Sequence, residues 1–409
     1  MAKPKTDDDW VHLIWDAMEA FSPGLPLKDV NMLAGRTRQL TRLLDIVMQR
    51  GYHAILYGER GVGKSSLANT FSTKLLGGVR TLTFIDISCD PSDDYSSIWR
   101  KVFRRLSDDT GPIANRYPHA IFPDDVLLEL SNFSLNTIPI IIFDEFNELK
   151  DRDARNLIAN TIKLLSDKGA RATVIVVGVA DNVSDLIDEN ESVARCLKQV
   201  PMHRMFPSEL REIIAKRLPP LGMKIQPSAL AHIVALSRGL PHYTHLFGQQ
   251  AAKKALEAKT MTIDTDHIEQ ALPSCIEDTD RTVREQYHAA IQSVRADNLY
   301  REVLLAAALA SVDELGFFAP AALQIPLTSI LKKPAKVSLF GQHLKNLCEK
   351  DHGNILEQIG SDRKYRYRFQ HPMMQSFILM RGLHQKMITR KQVDDLAASY
   401  YEPELSIEF

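Results

Sequence analysis

Two different spacings of apolar residues divide the chain into a mixed region and a mostly helical region. Between residues 52 and 205, short apolar runs alternate with stretches of helical periodicity, as in a parallel sheet with crossover helices. Strands are expected at residues 53–57, 80–87, 139–143, 172–179 and 200–205, and helices at 65–75, 96–106 and 154–166. This pattern predicts an α/β domain over residues 51–206, preceded by a helical segment over residues 1–50.

The remainder of the chain shows mostly helical periodicity. Helices at residues 208–217, 228–237, 243–258 and 265–271 predict an α-helical lid over residues 207–280. Further helices are expected at residues 283–294, 300–311 and 338–347, followed by extended pieces at 354–358 and 365–369 and a helix from residue 372. Three helices followed by a β-hairpin are typical of a winged-helix domain, expected over residues 281–390. A C-terminal tail is expected over residues 391–409.

Composition and charge exclude several classes of protein. Lys plus Arg number 50 against 51 Asp plus Glu, so the chain is neither a disordered polyelectrolyte nor a uniformly basic nucleic-acid coat. Its four cysteines are widely spaced, which predicts free thiols in a reducing compartment. No apolar run approaches the roughly 18 residues of a membrane helix, and the N-terminus lacks the apolar stretch of a secretion signal. We therefore expect a cytoplasmic protein without membrane contacts.

One segment matches the phosphate-binding pattern GxxxxGK[ST] in full. It comprises Gly58, Glu59, Arg60, Gly61, Val62, Gly63, Lys64 and Ser65, with Ser66 continuing into the next helix. The segment lies between a predicted strand and a predicted helix, where converging backbone amides and the helix N-terminus bind phosphate. In such a loop Lys64 would reach the β- and γ-phosphates, and Ser65 would hold Mg²⁺. The sequence therefore predicts a nucleotide site here.

A second motif lies about eighty residues later, where the apolar run at residues 138–143 ends in Asp144 and Glu145. An acidic pair at the end of a strand is a weak signal alone, but after a P-loop it indicates a Walker B motif. Asp144 would bind Mg²⁺ through its water shell, and Glu145 would act as general base on the attacking water. The adjacent glutamate predicts hydrolysis of the bound nucleotide.

These motifs, in this order, resemble those of the AAA+ ATPases, specifically the Orc1/Cdc6-like branch and its bacterial relatives. The resemblance covers residues 32 to about 383. It implies a P-loop sheet with helices on both faces, a helical lid and a winged helix, with ATP and Mg²⁺ as cofactors. Leu-Ala-Gly-Arg at residues 33–36 resembles the short motif that precedes the P-loop in this branch, which would place Arg36 against the nucleotide base.

The resemblance also assigns residues beyond the two motifs. Sensor 1, which orients the lytic water, falls on Asp181 or Asn182, and the alternative is a helix cap at this position. Arg195 corresponds to an arginine finger that reaches a neighbour's ATP, so the active form would be a homo-oligomer; the alternative is a surface arginine. His242 replaces the expected sensor-2 arginine, a departure from the pattern because histidine contacts phosphate as a cation only when protonated.

Charge is unevenly distributed along the chain. Between residues 331 and 391 there are thirteen Lys and Arg against four Asp and Glu. Residues 363–369 alternate basic and aromatic side chains, which on a strand would put Lys364, Arg366 and Arg368 on one face. These three are candidate contacts to the phosphates of double-stranded DNA. The alternative is a winged helix that contacts only protein.

The sequence thus predicts an ATP-binding and ATP-hydrolysing switch that oligomerises and engages DNA, in the manner of replication initiators or transposition regulators. Two alternatives remain open. One is a bacterial signalling or antiviral-defence ATPase of the STAND kind, which would act through a separate effector protein without binding DNA. The other is a nucleotide-holding scaffold with negligible turnover, against which Glu145 counts.

Overall fold

The computed structural model describes residues 6–24, 32–75, 81–108, 111–132, 137–180, 183–187, 191–292, 298–313, 316–361 and 364–398. The chain divides into two compact units. One unit is Pro26–His203, and the other joins Met1–Leu25 to Arg204–Phe409. The first fifty residues are therefore shared between the two units, whereas the sequence suggested a single N-terminal segment. The boundary at residue 203 lies close to the expected one at residue 206.

A five-stranded parallel sheet forms the centre of the first unit. Its strands are β1 (His53–Gly58), β2 (Thr81–Ser88), β5 (Thr137–Asp144), β6 (Thr173–Val179) and β7 (Leu197–Pro201), in the order β2-β5-β6-β1-β7. A short antiparallel hairpin, β3 (Ser107–Asp108) and β4 (Gly111–Pro112), lies outside this sheet. The last strand begins three residues earlier than expected, because β7 is an edge strand that carries the exposed Gln199 and lacks a continuous apolar run.

Helices cover both faces of this sheet. They are α2 (Thr37–Met48), α3 (Lys64–Leu75), α4 (Tyr95–Arg105), α5 (Pro123–Ser131), α6 (Arg152–Asp167) and α7 (Glu191–Cys196). On one face Trp99 of α4 packs edge-on against Phe143 of β5, with 5.4 Å between ring centroids. On the other face Phe71 of α3 meets Phe84 of β2. Helix α5 was not expected, because its nine residues are too few to show a clear period.

The second unit is mostly helical. Its helices are α1 (Asp7–Ala20), α8 (Pro207–Arg217), α9 (Pro227–Ser237), α10 (Pro241–Glu257), α11 (Thr265–Glu277), α12 (Arg281–Ile291), α13 (Tyr300–Leu309), α14 (Gln324–Leu331), α15 (Val337–Asn346), α16 (Met374–His384) and α17 (Arg390–Ala398). Two short strands, β8 (Lys224–Ile225) and β9 (Thr262–Ile263), pair in parallel. Strands β10 (Leu356–Ile359) and β11 (Arg366–Phe369) form the expected antiparallel hairpin, but four helices of this region precede it, because α14 was not predicted from the sequence. Among the described residues, no helix is long and apolar enough to cross a membrane.

Both ends of the described chain pack within this second unit. Phe21, just after α1, is fully buried against α10 at Gly248, where any larger residue would overlap the phenyl ring. Gln249 donates hydrogen bonds to the carbonyl oxygens of Met18 (2.8 Å) and Phe21 (2.7 Å). Helix α17, which begins where a tail was expected, packs against α9. Residues 390–398 are therefore an integral helix of this unit.

Candidate nucleotide-binding site

The phosphate-binding loop starts where β1 ends and finishes where α3 begins. Gly58, Gly61 and Gly63 have φ angles of +151°, +85° and +96°, values that residues with a Cβ rarely adopt. At Gly58 a Cβ would also overlap the carbonyl oxygen of Met202. Of the other loop residues, Val62 is buried, Arg60 is exposed, and Glu59, Ser65 and Ser66 are half-buried. The sequence therefore supplies glycine at the positions where this backbone requires it.

Lys64 folds back over the loop that precedes it. Its ammonium donates hydrogen bonds to the carbonyl oxygens of Gly58 (3.0 Å) and Glu59 (2.7 Å), and the residue is only 8% exposed. Burial lowers the pKa of Lys64 to about 8, although the negative charges of Asp144 and Glu59 oppose this shift. A cation held among backbone dipoles at a helix N-terminus is suited to phosphate, which would relieve the cost of burying the charge.

The two Walker B acids lie where β5 ends. The carboxylate of Asp144 accepts a hydrogen bond from the backbone amide of Glu145 (2.8 Å), and Glu145 adopts a left-handed conformation with φ +54°. The register of the sheet pairs Ser88, the last residue of β2, with Asp144. The Ser88 hydroxyl donates a hydrogen bond to Oε2 of Glu145. Ser88 was not predicted as a site residue. A polar residue at the end of a strand is a weak indication by itself, and the register that pairs Ser88 with Asp144 is not visible in the sequence.

A further hydrogen bond connects the turn after β5 to the end of β6. Oδ1 of Asn147 accepts from the backbone amide of Val179 (2.8 Å), so the turn after the Walker B acids is fixed to the last residue of β6. The sensor-1 candidates Asp181 and Asn182 lie outside the described residues. Because all three strands are parallel, the P-loop, the Walker B acids and the end of β6 lie at the same edge of the sheet.

The residues at this edge fit Mg²⁺ of the kind that P-loop proteins share with a nucleotide. No group of three or more His, Cys, Asp or Glu that could hold a metal occurs in the described part of the chain. Magnesium usually keeps several waters and takes few protein ligands together with phosphate oxygens. Ser65, in the first turn of α3, and Asp144, at the end of β5, match this requirement.

The comparison with known protein families agrees with this geometry. A family described as the AAA ATPase domain matches residues 32–202. The chain carries an AAA+ ATPase domain. The resemblance drawn from the P-loop and the Walker B motif is confirmed, and the match spans both motifs together with Arg36.

Solved structures also resemble this chain over most of its length. The ORC1 protein of Aeropyrum pernix, solved in complex with DNA, has a TM-score of 0.50 at 14% identity, covering 91% of this chain and 98% of that one. The ORC2 protein of Aeropyrum pernix, in ADPNP and ADP complexes, has a TM-score of 0.52 at 13% identity, covering 93% and 98%. Cdc6p from Pyrobaculum aerophilum has a TM-score of 0.49 at 16% identity, covering 92% and 98%.

The first two of these structures confirm the expected fold class, an α/β AAA+ core followed by a helical C-terminal region. Their low identity limits the conclusion to the fold. A search of curated proteins finds no match.

Arg36 of the AAA+ domain is buried beside the P-loop. Its Nη2 donates hydrogen bonds to the carbonyl oxygens of Val62 (2.9 Å) and His203 (2.7 Å). The residue is 3% exposed and has a left-handed backbone with φ +60°, directly before α2. Two partners of this guanidinium are therefore backbone carbonyls, one of them in the phosphate loop.

Arg195, the candidate arginine finger, and His242, at the sensor-2 position, lie in different units. Arg195, on α7 of the AAA+ core, is 69% exposed and forms an ion pair with Asp167 at the end of α6 (2.6 Å). His242 lies in the first turn of α10, in the helical unit. Its Nδ1 lies 2.8 Å from the carbonyl oxygen of Pro23, and because a carbonyl only accepts, Nδ1 carries the proton.

The three DNA candidates on the hairpin differ in their surroundings. Lys364 is exposed. Arg366 forms an ion pair with Asp313. Arg368 pairs with Glu357 (2.7 Å) and lies over the ring of Phe317, 4.6 Å from its centroid. Tyr367 and Phe369 are buried on the opposite face, as the alternation predicted. Two of the three cations are thus engaged by neighbouring side chains.

Proposed function

We propose that this AAA+ protein is an ATP-binding and ATP-hydrolysing switch that assembles into a homo-oligomer and engages DNA. The observation that carries the ATPase part is the shared edge of the sheet, where Lys64 of the P-loop and the acids Asp144 and Glu145 lie at the ends of β1 and β5. A scaffold that only holds nucleotide needs no carboxylate positioned as a base. Here Glu145 directly follows Asp144, and its backbone is held by two hydrogen bonds of 2.8 Å, from its amide to Oδ1 of Asp144 and from the Glu148 amide to its carbonyl.

Each residue has a distinct task in this reaction. On binding, the ammonium of Lys64 exchanges the carbonyls of Gly58 and Glu59 for phosphate oxygens, and the loop amides complete the cradle. Ser65 and Asp144 would hold Mg²⁺, which would supply positive charge against the phosphates of the nucleotide. Glu145 orients the attacking water and accepts its proton. The reaction is phosphoanhydride hydrolysis, with an adenine nucleotide as substrate.

Arg195 supports the oligomeric part of the proposal. Its guanidinium is exposed, and its ion pair with Asp167 lies on the surface, where such pairs contribute little to stability. The side chain can therefore leave Asp167 without a large energetic cost and reach the phosphates of a neighbouring copy. There it would stabilise the charge that develops on the transferring phosphoryl group.

Exposed lysines support the DNA part of the proposal. Residues 324–348, which include α14 and α15, contain no Asp or Glu. Lys332, Lys333 and Lys336 are exposed, and no carboxylate of the described residues forms an ion pair with them. Phosphate contacts are proposed for these lysines together with Lys364. Arg366 and Arg368 are assigned to the packing of the hairpin, since both already have carboxylate partners.

The ATPase assignment is tested with two substitutions in the full chain. Lys64→Ala should abolish ATP binding measured by calorimetry, whereas Glu145→Gln should bind ATP with near-normal affinity and lose turnover. Lys168→Ala, an exposed lysine of the same unit, is the control and should match the wild type. Wild-type turnover in both site variants would contradict the assignment.

The DNA assignment is tested by the salt dependence of binding to a random-sequence duplex, with and without ATP. Replacing Lys332, Lys333 and Lys336 by Glu should lower affinity and reduce the salt slope by about 0.9 for each lost phosphate contact. The exposed Lys224 serves as control through Lys224→Glu. If the wild type shows no salt-dependent DNA binding with or without ATP, the DNA proposal is wrong, and the alternative of an ATPase that acts through a separate effector protein is favoured.

A further inference from the structure

The peptide between Val62 and Gly63 lies at the centre of the phosphate loop and is flanked by flexible positions. Gly61 and Gly63 have φ angles of +85° and +96°, so glycine stands on either side of Val62. Because glycine populates many backbone conformations, the loop itself does little to fix the orientation of this peptide plane. Another contact must therefore hold it in the conformation that binds phosphate.

Arg36 supplies such a contact. In a planar trans peptide the C=O and the following N–H point in opposite directions. The hydrogen bond from Arg36 to the Val62 carbonyl therefore also fixes the Gly63 N–H, which points away from Arg36. If the plane turned over, Arg36 would lose its acceptor, and a carbonyl dipole would replace an amide donor on the other side of the loop. That exchange would place negative potential where a phosphate must bind.

The arginine is itself rigidly held. Its second acceptor is the carbonyl of His203, the last residue of the core unit. The residue before it, Met202, donates its backbone amide to the carbonyl of Tyr57 (2.7 Å) and lies against Gly58 at the start of the loop. The segment 202–203 thus contacts the start of the P-loop directly and its centre through Arg36.

We propose that Arg36 is a positioning residue for the phosphates, which sets the orientation of the Val62–Gly63 peptide, and that it does not read the nucleotide base. This inference rests on the proposed ATPase function. The loss of nucleotide affinity on replacing Arg36 should therefore depend on the number of phosphates in the nucleotide and not on the identity of its base.

The test compares four nucleotides by calorimetry, using the full chain and the variant Arg36→Gln. Affinity for ATP and ADP should fall about tenfold or more, as expected for losing a charged hydrogen-bond donor. Affinity for AMP should change by less than about twofold, and the ratio of ATP to GTP affinity should stay as in the wild type. The exposed Arg38, two residues away, provides the control Arg38→Gln, which should leave all four affinities unchanged.

Two outcomes would overturn the inference. Equal losses for AMP and ATP, together with a lost preference between ATP and GTP, would assign Arg36 to the base. A lower unfolding temperature with unchanged affinities would show a purely structural role. If Arg36→Gln does not fold, Arg36→Met removes both hydrogen bonds with a side chain of similar length, and the same losses for ATP and ADP are expected. Failure of the wild type to bind any nucleotide would instead refute the proposed function.

Discussion

The hydroxyl of Ser88 donates a hydrogen bond to the carboxylate of Glu145, with 3.1 Å between Oγ and Oε2. The two residues are 57 positions apart in sequence and meet because β2 and β5 pair in parallel, with Ser88 opposite Asp144. The left-handed backbone of Glu145 is held by two hydrogen bonds of 2.8 Å, from its amide to Oδ1 of Asp144 and from the Glu148 amide to its carbonyl. Rotation of the side chain therefore decides whether this carboxylate faces Ser88 or a water molecule at the phosphate.

We expect Ser88→Ala to raise basal ATP turnover about fivefold, because one hydrogen bond worth about 1 kcal/mol no longer holds the general base aside. The KM for ATP should not change, since Ser88 is not part of the phosphate loop. Steady-state kinetics measure both quantities. Ser88→Thr keeps the hydroxyl and should behave as wild type. A fall in turnover for Ser88→Ala would show instead that Ser88 orients the base for catalysis.

The second prediction concerns pH. Burial lowers the pKa of Lys64 to about 8, so the free protein loses this positive charge as the pH rises through 8. Because phosphate binding favours the ammonium, ATP affinity should be constant below pH 8 and fall by about tenfold per pH unit above it. Binding near pH 8.5 should take up protons, which calorimetry in buffers of different ionisation enthalpy detects.

The control for this pH dependence is Lys64→Arg, whose guanidinium stays charged throughout the range. Its affinity can be lower than that of the wild type, but it should not decline between pH 7 and 9.5. A wild-type affinity that is flat over the same range would contradict the lowered pKa.

Two glycines should respond in opposite ways to alanine. Gly58→Ala forces a Cβ into the Met202 carbonyl at φ +151°, and we expect it to destabilise the core unit by at least about 2 kcal/mol. Gly341→Ala, in the middle of α15, finds only Val337 at 3.9 Å and should stabilise the protein by about 0.5–1 kcal/mol. Denaturant unfolding distinguishes the two. Equal effects would mean that the close approach at Gly58 is not rigid.

The trans role of Arg195 predicts complementation between inactive variants. Arg195→Ala keeps its own Walker B acids, and Glu145→Gln keeps its finger. Each alone should lose about 100-fold or more of turnover. Mixed in equal amounts, they should regain activity, because some interfaces join an intact base to an intact finger. Asp167→Asn, which only releases Arg195, should stay active alone. A mixture as inactive as its components would assign Arg195 to the surface.

On the hairpin of β10 and β11, we expect the side chain of Arg368 to contribute to stability and that of Lys364 not to. Arg368→Gln removes the ion pair with Glu357 and the contact with the Phe317 ring, and should destabilise the helical unit by about 1–2 kcal/mol. Lys364→Gln should leave the unfolding midpoint unchanged, since its side chain is exposed. Thermal unfolding measured for both variants tests this. A loss of stability for Lys364→Gln would indicate that its side chain also supports the hairpin.

Motifs with fixed spacing were predictable from the sequence, whereas contacts that depend on register were not. The P-loop and the acids Asp144 and Glu145 need only a strand, a glycine-rich turn and a helix in order, and local patterns show each of these. Ser88 becomes functional only because β2 and β5 pair in one particular register. A single sequence contains no information that fixes this pairing.

Arg36 illustrates a second limit. The motif at residues 33–36 was recognisable, but the partners of its guanidinium, Val62 and His203, are 26 and 167 positions away in the chain. Its role therefore depends on packing between distant segments. The edge strand β7 was misplaced for a related reason, because an edge strand buries fewer residues and so carries a weaker apolar pattern.

The packing of α1 on α10 has a consequence for how the protein is made. Helix α1 is synthesised before the core unit, yet Gly248 and Gln249, which pack against Phe21, follow more than two hundred residues later. The whole core unit is inserted between these two partners. Since domains generally fold as units during synthesis, the AAA+ core can fold while α1 is still without its packing surface. Helix α1 is thus translated before the core unit but reaches its final place only after α10 has been made.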